Sequence, residues 1–123
     1  MTIQSRPLIY FIDPITENNQ FLDFVEPNIS GDTLTATIPV GSRSITELAN
    51  AIASAMNDSG SETYTVTFDR ITRLFTITGT DTFELKVSSG NASSPFALIG
   101  FTGADRVGAS TYIGDSVAGK SYT

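Results

Sequence analysis

Between Thr63 and Phe68 the chain reads "TYTVTF", and between Leu74 and Thr78 it reads "LFTIT". Apolar residues and threonines alternate there with a period of two. In an extended strand that period sends every second side chain to the same face. Tyr64, Val66 and Phe68 then oppose Thr63, Thr65 and Thr67, and Phe75 and Ile77 oppose Thr76 and Thr78. Wound into a helix, the same residues would scatter around the axis, so the segment demands a sheet with one dry and one wet face. "DRITR", Asp69 to Arg73, has the length of a hairpin loop. Gly79-Thr80-Asp81 reads as a second turn, followed by a third strand with Phe83, Leu85 and Val87 inward and Glu84 and Lys86 outward.

A dry face needs a cover, and the preceding segment supplies one. In "SITELANAIASAMNDSG", Ser44 stands as N-cap with Glu47 three residues later, the capping-box spacing. Ile45, Leu48, Ala49, Ile52 and Met56 follow at helical spacing as one apolar stripe, and Ala49, Ala53 and Ala55 permit close approach to a sheet. Asn57 to Gly60 end the helix, with Gly60 placed for a left-handed terminal residue. The fold class expected is α+β: an antiparallel sheet with one amphipathic helix, about Ser44–Asp58, packed on one face. With 123 residues the chain is expected to be a single domain, 1–123.

The flanks are less regular. "LIYFI", Leu8 to Ile12, is a short apolar run between Pro7 and Pro14 and reads as a strand buried on both faces or pinned under another chain. "FLDFVE", Phe21 to Glu26, is a further strand ended by Pro27, and "TLTATIPV" alternates Leu34, Ala36 and Ile38 against Thr33, Thr35 and Thr37. Ser94, Pro95 and Gly100 bound a single turn in which Phe96, Leu98, Ile99 and Phe101 plug the end of the core. From Gly103 the sequence thins into Gly, Ser, Ala and Thr. That tail, about 104–123, is either frayed or ordered by a neighbouring molecule. Residues 1–13 are either an edge strand of the same sheet or an arm that adds to a neighbour's sheet.

The chain has no cysteine, histidine or tryptophan. Disulfides, thiolate metal sites and histidine-based triads are thereby excluded, and acid–base work falls to carboxylates, lysine and tyrosine. Thirteen acidic residues against seven basic ones give a net charge of −6, and the basic residues are scattered from Arg6 to Lys120. No nucleic-acid partner is expected of such a surface. No membrane span or export signal is expected either, because the apolar run near the N-terminus is too short.

Asp69 and Asp81 at turns, and Asp23 and Glu26 flanking a strand, are the carboxylates a glycosidase pair could draw on. Aspartates at turns bond their own backbone, which accounts for Asp69, Asp81 and Asp32 without catalysis. "NDSGSE", Asn57 to Glu62, is the densest oxygen cluster for a calcium ion, yet a helix end running into a strand explains each of its residues. A Ser–Lys pair would have to use Lys86 in mid-strand or Lys120 in the tail. No catalytic residue, metal ligand or cofactor is assigned.

The ordered series "GSRSITELANAIASAMN", "ETYTVTFDRITRLFTIT", "FELKVSSG" and "LIGFTGAD" resembles a module of phage virion proteins, chiefly tail and baseplate components. Tyr64, Val66, Phe68, Asp69, Phe75, Ile77, Phe83, Gly90, Gly100 and Phe101 match it, over about Val40 to Tyr112. Every matching position is a core face, turn or cap, so the resemblance implies architecture and setting and carries no binding residue. It implies a non-enzymatic homo-oligomeric structural subunit of a bacteriophage particle, in the tail or baseplate region. Its partners would be copies of itself and other virion structural proteins, assembled in the host cytoplasm. The alternative is a carbohydrate- or receptor-binding module of a fibre or cell-surface protein, with the threonine-rich face and Tyr64, Tyr112 or Tyr122 as contacts.

Overall fold

A computed structural model describes residues 9–122, with side chains placed for 11–119. Its elements in chain order are β1 (Ile9–Phe11), β2 (Phe21–Val25), β3 (Thr33–Thr37), α1 (Ile45–Ser59), β4 (Tyr64–Asp69), β5 (Leu74–Leu85), β6 (Arg106–Ile113) and β7 (Lys120–Tyr122). Strands β2 to β6 form one five-stranded antiparallel sheet, and β1 pairs with β7 in a separate two-stranded one. Helix α1 packs on the sheet against β4 and β3. The molecule is an α+β fold with one helix on the apolar face.

The helix follows its sequence signals closely. Ser44 is the N-cap: its hydroxyl accepts from the Glu47 amide, and the Ser44 amide donates to the Glu47 carboxylate, both at 3.1 Å. Ile45, Leu48, Ala49, Ile52, Ala55 and Met56 are buried beneath it. Each fully buried large side chain in that stripe contributes roughly 1.5–3 kcal/mol. On the sheet, Tyr64, Val66, Phe75, Ile77, Phe83 and Leu85 face inward while Thr63, Thr65, Thr67 and Thr78 stay exposed.

The hairpin loop forms where expected. Asp69 Oδ1 accepts from the Ile71 and Thr72 amides at 2.8 and 3.2 Å, and Arg73 closes the loop with φ +62°. The second expected turn does not form. Gly79, Thr80 and Asp81 lie inside β5, one strand of 12 residues. Gly79 is small because two rings crowd it: a Cβ there would stand 2.9 Å from the Phe83 ring and 3.1 Å from that of Tyr64. Packing, not chain reversal, is the reason for this glycine.

The expected tail contains a strand. Residues 106–113 are β6, paired antiparallel to β5 from Thr76↔Ile113 to Leu85↔Arg106, with register shifts between Thr78 and Phe83 and between Phe83 and Leu85. A strand rich in small residues is hard to see by periodicity, yet β5 supplies its partner within the chain. Beyond it, Gly114 N–H donates to Phe75 O and Ala118 N–H to Arg73 O, so the chain docks on the hairpin. At the other end, β1 meets β7, and Ile12 and Ile15 enter the core. Residues 1–8, the outer part of the expected arm, lie outside the described residues.

The plug also forms. Phe96, Ile99 and Phe101 are buried in a turn closed by Ile99 N–H to Pro95 O and Phe101 N–H to Phe96 O. Arg106 stacks 5.6 Å over the Phe101 ring and pairs with Asp115 at 2.9 Å.

Candidate functional site

The unusual chemistry sits where two strands share one edge of β5. Strand β6 occupies one edge from Thr76 to Leu85. The other edge carries β4 opposite Leu74–Gly79 and then β2 opposite Glu84 and Leu85. Between them, β5 residues 80–83 have no strand partner on that edge. Here β2 ends and β4 begins, and the incoming amides must find other acceptors.

Glu26 supplies them. It follows β2 directly, is 1% exposed, and continues the inward series Leu22 and Phe24. Its two carboxylate oxygens each accept from the Ser61 amide at 3.0 Å. Oε2 also accepts from the Glu62 amide at 2.9 Å and the Tyr64 hydroxyl at 2.7 Å. The carboxylate thus stands in for the missing backbone of a neighbouring strand. Burial alone would raise its pKa, but the Ser61 and Glu62 amides and the Tyr64 hydroxyl together hold it below the ordinary range. Glu26 is an ionised buried acceptor.

The same junction explains Gly60, which does not adopt the expected left-handed conformation. Its φ is −106° and ψ 177°, an extended residue whose amide donates to Met56 O at 2.8 Å. A Cβ there would lie 2.5 Å from Glu26 Oε2 and 3.1 Å from the Phe24 ring. Glycine is required because the carboxylate comes so close. Asn57 completes the join, with its side-chain amide bonded to both the N–H and C=O of Tyr64 at 2.7 and 3.3 Å. Thr63 N–H reaches across to the Thr80 hydroxyl at 3.2 Å.

Around this clasp runs an aromatic series. Phe24, Tyr64, Phe83 and Tyr112 meet edge to face with successive centroid separations of 5.3, 5.1 and 4.9 Å. Such pairs add about 0.5–1.5 kcal/mol each beyond burial. The Tyr112 hydroxyl donates to Phe83 O and accepts from the Ala109 amide, bridging β5 and β6 at the pair that lies between their two register shifts. Desolvation raises the pKa of both tyrosines, and for Tyr64 the bond to ionised Glu26 adds to it.

Glu62 is the second carboxyl at the junction. It is 8% exposed, on the inward face of the β4 alternation, and among the described residues neither of its oxygens has a hydrogen-bond partner. Burial and the charges of Glu26 and Asp81 raise its pKa.

The other carboxylates weighed from the sequence are dispersed over separate local tasks. Asp23 accepts from Thr35 Oγ1 at 2.7 Å and the Asn91 amide at 2.9 Å, and Asp69 caps its hairpin. Asp81, in mid-strand and not at a turn, accepts from the Thr82 amide at 2.7 Å and from Asn28 Nδ2 at 3.2 Å. In "NDSGSE" the side chain of Asn57 is committed to Tyr64, and the Ser61 and Glu62 amides to Glu26. Among the described residues no three His, Cys, Asp or Glu side chains are gathered so as to hold a metal ion.

Of the tyrosines offered as glycan contacts, Tyr64 and Tyr112 are buried with their hydroxyls bonded inside the fold. The side chain of Tyr122 lies outside those described. The hollow between the helix start and the hairpin, lined by Ser44, Ile45, Thr46, Phe68 and Arg70, measures about 160 Å³. That is below the usual size of a small-molecule site.

The Glu26–Glu62 pair was missed by sequence reasoning, although a signal existed. Both glutamates fall on the inward parity of alternating strands, Leu22-Phe24-Glu26 and Glu62-Tyr64-Val66. A charged residue at an inward position asks for a partner.

No family model matches this sequence, and no curated protein matches it at a significant level.

Proposed function

We propose that the protein is a non-enzymatic structural subunit of a bacteriophage particle, in the tail or baseplate region, acting through contacts with copies of itself and with other virion proteins. The observation that carries this reading is a free strand edge beside exposed apolar side chains. Among the described residues β6 pairs with β5 alone, leaving its outer edge open over Arg106–Ile113. Val107 and Ile113 on that strand are exposed, as is Val117 just beyond it. The bonds from Gly114 to Phe75 and from Ala118 to Arg73 bring Ile113 and Val117 alongside the hairpin that carries Ile71, which is 93% exposed. Open edges and apolar side chains of this kind suit lateral subunit contact, and the resemblance read in the sequence supplies the setting. Repetition around a particle axis would close such contacts into a ring.

Light scattering coupled to size-exclusion chromatography, over a range of concentrations, tests the reading. The wild type is expected to form one defined oligomer. Ile113→Asp combined with Val117→Asp should give a folded monomer. A wild type that stays monomeric throughout, or an oligomer indifferent to both substitutions, refutes this contact surface.

A further inference from the structure

We propose that Glu62 is a proton-operated latch at the β2–β4 junction: with its carboxyl neutral the segment 61–64 stays clasped to Glu26, and ionisation loosens that segment from the sheet. The inference goes beyond the structural-subunit reading and does not depend on it.

The geometry carries it. The Glu62 amide is itself one of the donors to Glu26, so the backbone of the second carboxyl is tied to the first. Its own carboxyl oxygens are enclosed and without a hydrogen-bond partner among the described residues. A neutral carboxyl can sit there at modest cost, whereas an unpaired anion in such surroundings cannot.

The groups that face it come from every side of the junction. From β2 comes Glu26, whose charged form is favoured by the donors from Ser61, Glu62 and Tyr64. From β5 comes Asp81, held by Asn28 and the Thr82 amide. From β4 comes Tyr64, whose hydroxyl proton is already given to Glu26 and offers Glu62 nothing. The charges acting on Glu62 are both negative. The backbone of Asp81 acts in the opposite direction and is the smallest of these influences.

The direction of the response follows by linkage. In the unfolded or opened segment Glu62 titrates near its ordinary value of 4.5, and in the closed junction it titrates higher. Below pH 4.5 both states carry the proton and the latch is fully closed. As pH rises between the two values, only the open state releases the proton, so opening is favoured by up to about tenfold per pH unit. Above the folded value the effect levels off. Glu26 responds on the other side: its folded pKa is lowered, so its contribution is present above 4.5 and is lost as pH falls through the folded value. The two carboxyls therefore act in separate pH windows.

The test is an NMR titration of the Glu62 carboxyl carbon with amide exchange of Ser61, Glu62 and Tyr64, from pH 4 to 8. Exchange is corrected for its intrinsic pH dependence and measured on the wild type and on Glu62→Gln. The wild type is expected to titrate above 4.5 and to open progressively as pH rises, with Glu62→Gln flat over the same range. Asp81→Asn should lower the Glu62 titration midpoint toward 4.5. A Glu62 midpoint at or below 4.5, or an opening slope retained in Glu62→Gln, overturns the proposal. If the glutamine variant does not fold, the wild-type midpoint and the Asp81→Asn shift decide the matter alone.

Discussion

Replacing Glu26 by alanine removes the acceptor on which three donors converge, and the structure sets the size of the loss. The Glu62 amide and the Tyr64 hydroxyl belong to buried residues, and each would be left without its partner. A buried donor stranded in this way costs about 1–3 kcal/mol. The Ser61 amide belongs to an exposed residue and can turn to water, so it adds little. Removing the Glu26 charge also relieves Glu62 of a repulsive neighbour, which returns part of the loss. The net expectation is a destabilisation of roughly 3 kcal/mol at neutral pH, within the ~3–5 kcal/mol typical of breaking a buried charged contact. For a chain of this length that lowers the melting temperature by about 12 °C.

Urea denaturation with an unchanged m-value is the assay, and Glu26→Gln is the comparison. A glutamine whose oxygen takes the Oε2 position keeps the Glu62 and Tyr64 bonds and turns its NH₂ toward the Ser61 amide. It should therefore cost only about 1–2 kcal/mol. A loss under ~1 kcal/mol for the alanine variant would refute the clasp as a stabilising element. Equal losses for alanine and glutamine would refute the hydrogen bonds as its source.

Two other perturbations probe neighbouring points of the fold. Gly60→Ala drives a methyl group to 2.5 Å from Glu26 Oε2 and should destabilise by roughly 1–3 kcal/mol in thermal melts; stabilisation, as expected of a glycine merely wasting entropy, would contradict the close approach. Asp105 accepts from the hydroxyl and amide of Ser89 and from the amide and hydroxyl of Ser88, which hold its pKa down to about 2 from 3.8 despite some desolvation. Its stabilisation is present above pH 3.8 and is lost as pH falls through about 2, so an NMR midpoint near 3.8 would show that the contacts of Asp105 with Ser89 and Ser88 are not formed.

Local patterns were readable wherever one principle acted alone. The capping box at Ser44 and Glu47, the stripe from Ile45 to Met56 and the alternation in β4 all depend on spacing along the chain. Each formed where spacing placed it. Gly79 and Gly60 misled for a shared reason. Glycine signals that a side chain has no room, but spacing cannot say whether a turn or a neighbour excludes it. At Gly79 the neighbours are the Phe83 and Tyr64 rings, and at Gly60 the Glu26 carboxylate. Strand β6 was hidden because "VGAST" has no strong apolar period, and its order comes from pairing with β5.

The chain's own sequence therefore determined its class: one covered sheet face, one helix to cover it, and a threonine-rich face left to water. Those outcomes rest on interactions between residues a few positions apart, which propensity and periodicity encode directly. Only the tertiary structure decided that β2 and β4 share one edge of β5, and hence that Glu26 would meet Ser61, Glu62 and Tyr64. Those partners lie 35 to 38 residues apart. Their meeting depends on how a long strand distributes its two edges, a choice made by the packing of the whole sheet.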